Sequence, residues 1–194
     1  MTLPLLGGDD TFVFESHAQT LSNKTLTQPT ITSPRIQTSI DDENGAGLID
    51  VSATASAANN LSIVNAIANQ APVLTAAGTD TNINVSITGK GTGSALLGKA
   101  AYGTSTIQVN GGVSDTATHI ICNKATTLFV TLADGTTDGE YKIFTNKGAG
   151  NATVTPTNFA QGTSFTLQQF EGCSVVWDGS NWYLIGNQST VTIL

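Results

Sequence analysis

Gly89-Lys90-Gly91-Thr92-Gly93-Ser94 is the stretch that most invites chemistry, because closely spaced glycines beside a lysine are what a phosphate-binding loop is made of. The order is wrong for that role. A Walker loop ends in Gly-Lys-Ser/Thr, whereas Lys90 is followed by Gly91, and Leu96 stands where a dinucleotide loop needs its third glycine. Tight β-turns account for these glycines. His17 and His119 have no Cys, His or carboxylate at metal-ligand spacing. Asp41-Asp42-Glu43-Asn44 gathers oxygen ligands but lacks the alternation of a calcium loop, and reads as a solvated turn. Hydrolysis would need a carboxylate pair or an activated nucleophile. The carboxylates of Asp134, Asp138 and Asp178 each stand beside a glycine in a turn, and no serine has a nucleophile-elbow context. The chain therefore reads as non-enzymatic, with no catalytic residue, cofactor or metal. What remains for ligand recognition is a set of polar loops, 134–139, 147–151 and 178–181, carrying Asp134, Asp138, Asn151, Asp178 and Asn181. Tyr183 could stack on a sugar, but Trp177, Trp182 and Tyr183 read first as core.

The elements that would hold these loops are strands. Only 11% of the residues are charged, 20 are glycine, and no segment has a convincing helical pattern. Gly172 to Gln188 reads as a β-hairpin in which Asp178-Gly179-Ser180-Asn181 forms the loop, Trp177 faces Trp182, Val175 faces Leu184 and Val176 faces Tyr183. Both faces of this hairpin carry apolar bulk, so other strands are expected to cover it. Upstream runs at His119–Asn123, Thr127–Leu132, Glu140–Asn146, Ala152–Thr155 and Ser164–Leu167 recur at sandwich or barrel spacing. Cys122 and Cys173 lie in such runs and read as buried thiols, not as a disulfide.

The formal charge of −7 and the scarcity of basic residues argue against a nucleic-acid surface. Met1-Thr-Leu-Pro-Leu-Leu-Gly lacks a basic n-region, and no run approaches the ~18 apolar residues of a membrane span. Nine of the twelve aromatics fall between Phe129 and Tyr183, which leaves the long middle without the bulk of a conventional globule. Residues 1–19 carry a short apolar plug, Leu3, Leu5, Leu6, Phe12 and Phe14, expected to dock on another surface. Beyond it, Leu21, Leu26, Ile31 and Ile36 recur every five residues, and Pro29 and Pro34 rule out a continuous helix. Such sparse apolar residues make no core in one chain, but three chains side by side would turn each level into a ring. From Leu61 to Val109, period-two alternation at Leu61/Ile63, Ile83/Val85/Ile87 and Ile107/Val109 predicts short strands joined by glycine turns.

Two stretches carry a resemblance. Gln19-Thr20-Leu21-Ser22-Asn23-Lys24-Thr25-Leu26-Thr27-Gln28-Pro29-Thr30-Ile31, preceded by Asp10-Thr11-Phe12-Val13, is similar to a segment recurrent in tailed-bacteriophage fibre and other virion-surface proteins. Ala71 to Val85, with Gly78-Thr79-Asp80-Thr81-Asn82-Ile83, continuing through Lys90-Gly91-Thr92-Gly93, resembles a second unit of the same proteins, and Leu132 to Ile185 looks like a β domain found at the end of such chains. The resemblance, joined to the residue patterns, implies an all-β homotrimer: an attachment arm (1–19), an extended Pro/Thr-rich stalk and connector (20–58), an intertwined β-shaft or β-prism (59–112), and a β-sandwich or barrel head (113–194). The expected role is a non-enzymatic structural protein on the virion surface, assembled in the host cytoplasm and bound to phage capsid or tail proteins. A short chain with so brief an arm favours a capsid decoration (cement) protein. The alternative is a short tail fibre whose head recognises a host surface glycan or protein.

Overall fold

The computed structural model describes residues 25, 27–36, 38–52, 54–186 and 192–193. The expectations placed on Leu3, Leu5, Leu6, Phe12, Phe14, His17, Leu21 and Leu26 lie outside the described residues. The chain is all-β: fourteen strands and no helix occur among the described residues. It divides into two compact units, one up to Ile87 and one from Thr88 onward.

Among its described residues the first unit holds two hairpins. Strands β1 (Ser39–Asp41) and β2 (Gly47–Asp50) pair antiparallel across the acidic turn, where the Asp42 carboxylate accepts from the backbone N–H groups of Asn44 and Ala46 at 2.9 Å each. This is the solvated turn expected of that sequence, closed by its own aspartate. Strands β3 (Asn59–Val64) and β4 (Val73–Gly78) pair over their full length, with Leu61 opposite Ala76 and Ile63 opposite Leu74. That register places four apolar side chains on one face, and among the described residues they are left largely open: Leu61, Ile63 and Leu74 are 54%, 76% and 52% exposed. Ile31 and Ile36, the two described members of the five-residue repeat, are exposed as well. The alternation at Ile83/Val85/Ile87 does not become a strand, since none lies between β4 and residue 104. Alternation sets which face a side chain takes but supplies no partner strand, and a strand without one leaves its backbone groups unpaired.

The second unit has two five-stranded sheets over one core. Sheet I runs β6 (Gly111–Gly112), β8 (Leu128–Leu132), β10 (Ala152–Pro156), β11 (Phe165–Leu167), β14 (Thr192–Ile193); sheet II runs β5 (Thr104–Ile107), β7 (His119–Cys122), β9 (Tyr141–Asn146), β12 (Gly172–Trp177), β13 (Trp182–Ile185). From β5 to β10 the chain alternates between sheets and stacks in parallel within each, so three successive coils wind around the interior. The remaining strands close the stack antiparallel. Period-two patterning predicts β7 to β13 to within a residue or two, but not the parallel pairing. The hairpin register agrees with the sequence: Trp177 opposite Trp182, Val175 opposite Leu184, Val176 opposite Tyr183. Its covering differs, because only the face carrying Val175, Trp177, Trp182 and Leu184 is buried, whereas Tyr183 is 38% exposed.

Ile120, Leu128, Val130, Phe144, Val154, Phe165, Leu167, Val175 and the two tryptophans fill the interior, with Phe144 meeting Phe165 edge-on at 5.5 Å between ring centroids. Lys142, Asn146, Ser164 and Glu171 are the buried polar residues among those described, and the first two tie loops to the interior. Lys142 shares the inner face with Phe144, and its Nζ donates to the carbonyls of Ala117 at 2.8 Å and Ser114 at 3.2 Å, with the Glu140 carboxylate 3.5 Å away. Asn146, 1% exposed, donates from Nδ2 to the carbonyls of Gly150 at 2.8 Å and Leu167 at 3.0 Å, and accepts from the Gly148 N–H at 3.1 Å. Three segments are thus held by one amide.

Asn146→Ala would strand these partners without water, and we expect a loss of about 2 kcal/mol or more. Thr155→Ala, on the outside of sheet I, is expected to change stability by no more than about 0.5 kcal/mol. Urea unfolding followed by tryptophan fluorescence checks both, because the only two tryptophans lie in this core.

Candidate functional site

The loops singled out for recognition are built at the ends of the sandwich, and they do not all share one end. Strands β9 and β12 run antiparallel with Tyr141 opposite Val176, so loop 134–139, which leads into β9, meets loop 178–181, which leaves β12. The Gly139 N–H donates to the Trp177 carbonyl at 2.8 Å, and the Trp177 N–H donates to the Glu140 carbonyl at 2.9 Å. Gly135 rests on the Trp177 ring so closely that a Cβ there would lie 2.5 Å from Cγ. At Gly179, φ is +94° and a Cβ would come within 2.5 Å of the Asp138 carboxylate, so glycine is required twice over. Asn158 joins from a third loop by donating its Nδ2 to the Asp134 carboxylate at 2.8 Å. Asp134, Asp138, Asp178 and Asn181 therefore belong to one rim, underlain by Trp177 and Trp182, whose centroids are 5.5 Å apart.

Asn151 stands at the opposite end. Its carbonyl accepts the Leu128 N–H at 2.8 Å, and its loop packs on residues 124–127, where Cβ atoms at Gly148 and Gly150 would come within 2.3 and 2.1 Å of backbone atoms of Lys124 and Thr126. Close backbone approach explains the glycines of Lys147-Gly148-Ala149-Gly150.

Some of the carboxylates at this end take part in local structure while staying exposed, as at Asp134 and Asp178. Asp178 accepts the backbone N–H groups of Asn181 at 2.7 Å and Ser180 at 2.9 Å, and these bonds hold its carboxyl below the ordinary aspartate value. Glu140 accepts the Thr136 N–H at 2.9 Å. Among the described residues no group of three His, Cys, Asp or Glu side chains is placed to hold a metal ion. His119 is half-buried on sheet II with Nε2 3.0 Å from the Thr145 hydroxyl. The Gly89–Gly93 stretch is a turn closed by the Gly93 N–H on the Lys90 carbonyl at 3.0 Å, with φ of +61° at Gly91. Cys122 and Cys173 are free and buried, and burial pushes their thiols up to about 11 and about 12. Thiols so shifted are poor nucleophiles.

Four polar side chains that matter to this architecture escape motif reasoning: Lys142, Asn146, Asn158 and Gln161. Lys142 was findable, because Tyr141-Lys142-Ile143-Phe144 gives it the parity of Phe144 and so an inward direction. Gln161 had no such mark. Its Oε1 accepts the Leu184 N–H at 2.6 Å and its Nε2 donates to the Leu184 carbonyl at 3.4 Å, while Asn158 and Ala160 pair through their backbones with Trp182. Together they close the outer edge of β13.

No protein-family model matches the chain, and no curated protein matches it.

A carboxyl held low favours the folded chain above the unfolded aspartate value and loses that contribution as pH falls through its own lower value. NMR titration is expected to place Asp178 below 3.8, and Ala substitution at Ser180, which leaves its N–H in place, should not move it. The two thiols are expected to resist maleimide at pH 8 in the native protein and to react at once in denaturant.

Proposed function

We propose that this chain is a non-enzymatic, homotrimeric structural protein of a tailed-phage virion, attached through its N-terminal segment and displaying the two-sheet unit outward as a head. The observation that carries this reading is that none of the described residues before 88 is buried, although Ile40, Leu48, Ile49, Leu61, Ile63 and Leu74 are among them. A lone two-stranded hairpin with an uncovered apolar face is marginal in water. Sister copies of the same chain supply the missing layer with no further partner, and the five-residue spacing of Leu21, Leu26, Ile31 and Ile36 suits rings of three. Resemblance to phage virion-surface sequences gives the setting.

Capsid decoration is the first role within that setting. Leu3, Leu5, Leu6, Phe12 and Phe14 offer apolar area to a shell at about 25 cal/mol per Å², and threefold repetition strengthens a weak hold through effective concentration. Across the virion surface such clamps would brace neighbouring capsid subunits. The rim of Asp134, Asp138, Asp178, Asn158 and Asn181 favours a second role, a short tail fibre, because exposed acceptors and amides on loops over a rigid scaffold suit a hydroxyl-rich host glycan.

Native mass measurement is expected to give three times the 19.9 kDa chain mass. Deleting residues 1–19 should leave a three-chain assembly of the shortened chain and abolish capsid binding; a truncated protein that still fills capsid sites overturns the attachment role. A copy number that scales with capsid subunits marks decoration, and one set by the tail's few attachment points marks a fibre.

A further inference from the structure

The two sheets of the second unit differ in their outer faces. On sheet I the outward positions of β8, β10, β11 and β14 are Thr131, Thr153, Thr155, Thr166 and Thr192 with one aromatic, Phe129, and Thr153 and Thr166 join hydroxyls at 3.0 Å. On sheet II the register lines up Ile121, Tyr141, Ile143, Val176, Tyr183 and Ile185 on the outward side, around Ser174. A sheet that faces water on one side alternates apolar and polar residues, as sheet I does. Sheet II instead gathers an apolar cluster on the outward side of β9, β12 and β13, bordered by Thr104, Thr106, His119 and Thr145 toward β5.

Charge permits a second copy of this chain to cover it, and although neither outer face carries Asp, Glu, Lys or Arg, only sheet II adds an apolar cluster. In a chain of formal charge −7, the outward face of sheet II carries no Asp, Glu, Lys or Arg, and its one imidazole is engaged by the Thr145 hydroxyl. Copies of so acidic a chain repel one another wherever carboxylates meet; at this face they do not. Asp134, Asp138 and Asp178 lie instead on the loops of the rim. Strand spacing and length make the face roughly 20 Å by 15 Å, about 300 Å² per copy, which is the lower end of the largest apolar patch on a typical monomer, a patch that is often functional. Three such faces total about 900 Å², less than the roughly 1,000 Å² that one specific interface needs, so this face alone does not hold three chains together. Chains already joined through their middle segments meet at high effective concentration, so a modest area suffices.

We propose that the outward face of sheet II is where the heads of sister copies pack against one another around the trimer axis, with the threonine face of sheet I turned to solvent. This rests on the homotrimeric reading above, and it adds which surface of the head is buried.

The test uses full-length chains carrying Ser174→Cys or Thr153→Cys. Both positions are half-buried on strands flanked on both sides within a single chain, and the native thiols are buried. Native mass gives the oligomer, and maleimide labelling read by mass spectrometry gives access to each introduced thiol. The expected result is a three-chain mass with Cys at 174 labelled at least about tenfold more slowly than Cys at 153, a protection lost on dissociation. Equal rates in a three-chain protein overturn the proposal and leave the trimer standing, with the face open to some other partner. A one-chain mass overturns both. Should Ser174→Cys fold poorly, Tyr183→Cys reads the same face from an exposed position.

Discussion

Apolar side chains on a strand need a second layer, and the two units of this chain meet that need in opposite ways. From residue 88 onward two sheets face each other, and each supplies the other's cover, so phenylalanine, leucine, valine and both tryptophans reach full or nearly full burial. Before residue 88 the described strands occur only as separate hairpins, and none of the described residues there is buried. Hydrophobic burial is the main favourable term in folding, and among the described residues it is concentrated in the second unit.

Within the second unit the two sheets are tied by more than grease. The chain crosses from one sheet to the other at each step from β5 to β10, so each crossing needs a loop whose backbone groups must be paired. Lys142 and Asn146 meet that need from inside, each gathering loop carbonyls with a buried side chain. A polar group in the core is costly when unpaired and specific when fully paired. Here both are paired, and they fix where the loops after β6, β9 and β11 must sit.

What was legible in the sequence is the part that alternation encodes. Cys173-Ser-Val-Val-Trp and Trp-Tyr-Leu-Ile around Asp178-Gly179-Ser180-Asn181 fixed a register because a four-residue loop leaves few choices. The parallel coils were not legible, because a strand's pattern states which face is inward and says nothing about which distant strand lies beside it. Ile83/Val85/Ile87 shows the same limit from the other side: the pattern is present and the strand is absent. For the recognition loops, turn chemistry located Asp134, Asp138, Asp178 and Asn181, but only the antiparallel pairing of β9 with β12 shows that they share a rim and that Asn151 does not.

The Gln161 amide lies along β13 as a neighbouring strand would, giving and taking one hydrogen bond at Leu184, with Asn158 and Ala160 doing the same at Trp182. An unprotected outer strand invites a neighbour to zip on and continue the sheet. With its bonding groups already satisfied, this margin offers no template, so a copy brought close gains nothing by growing sheet onto sheet there, and whatever meets this edge must be recognised by side chains and not by backbone.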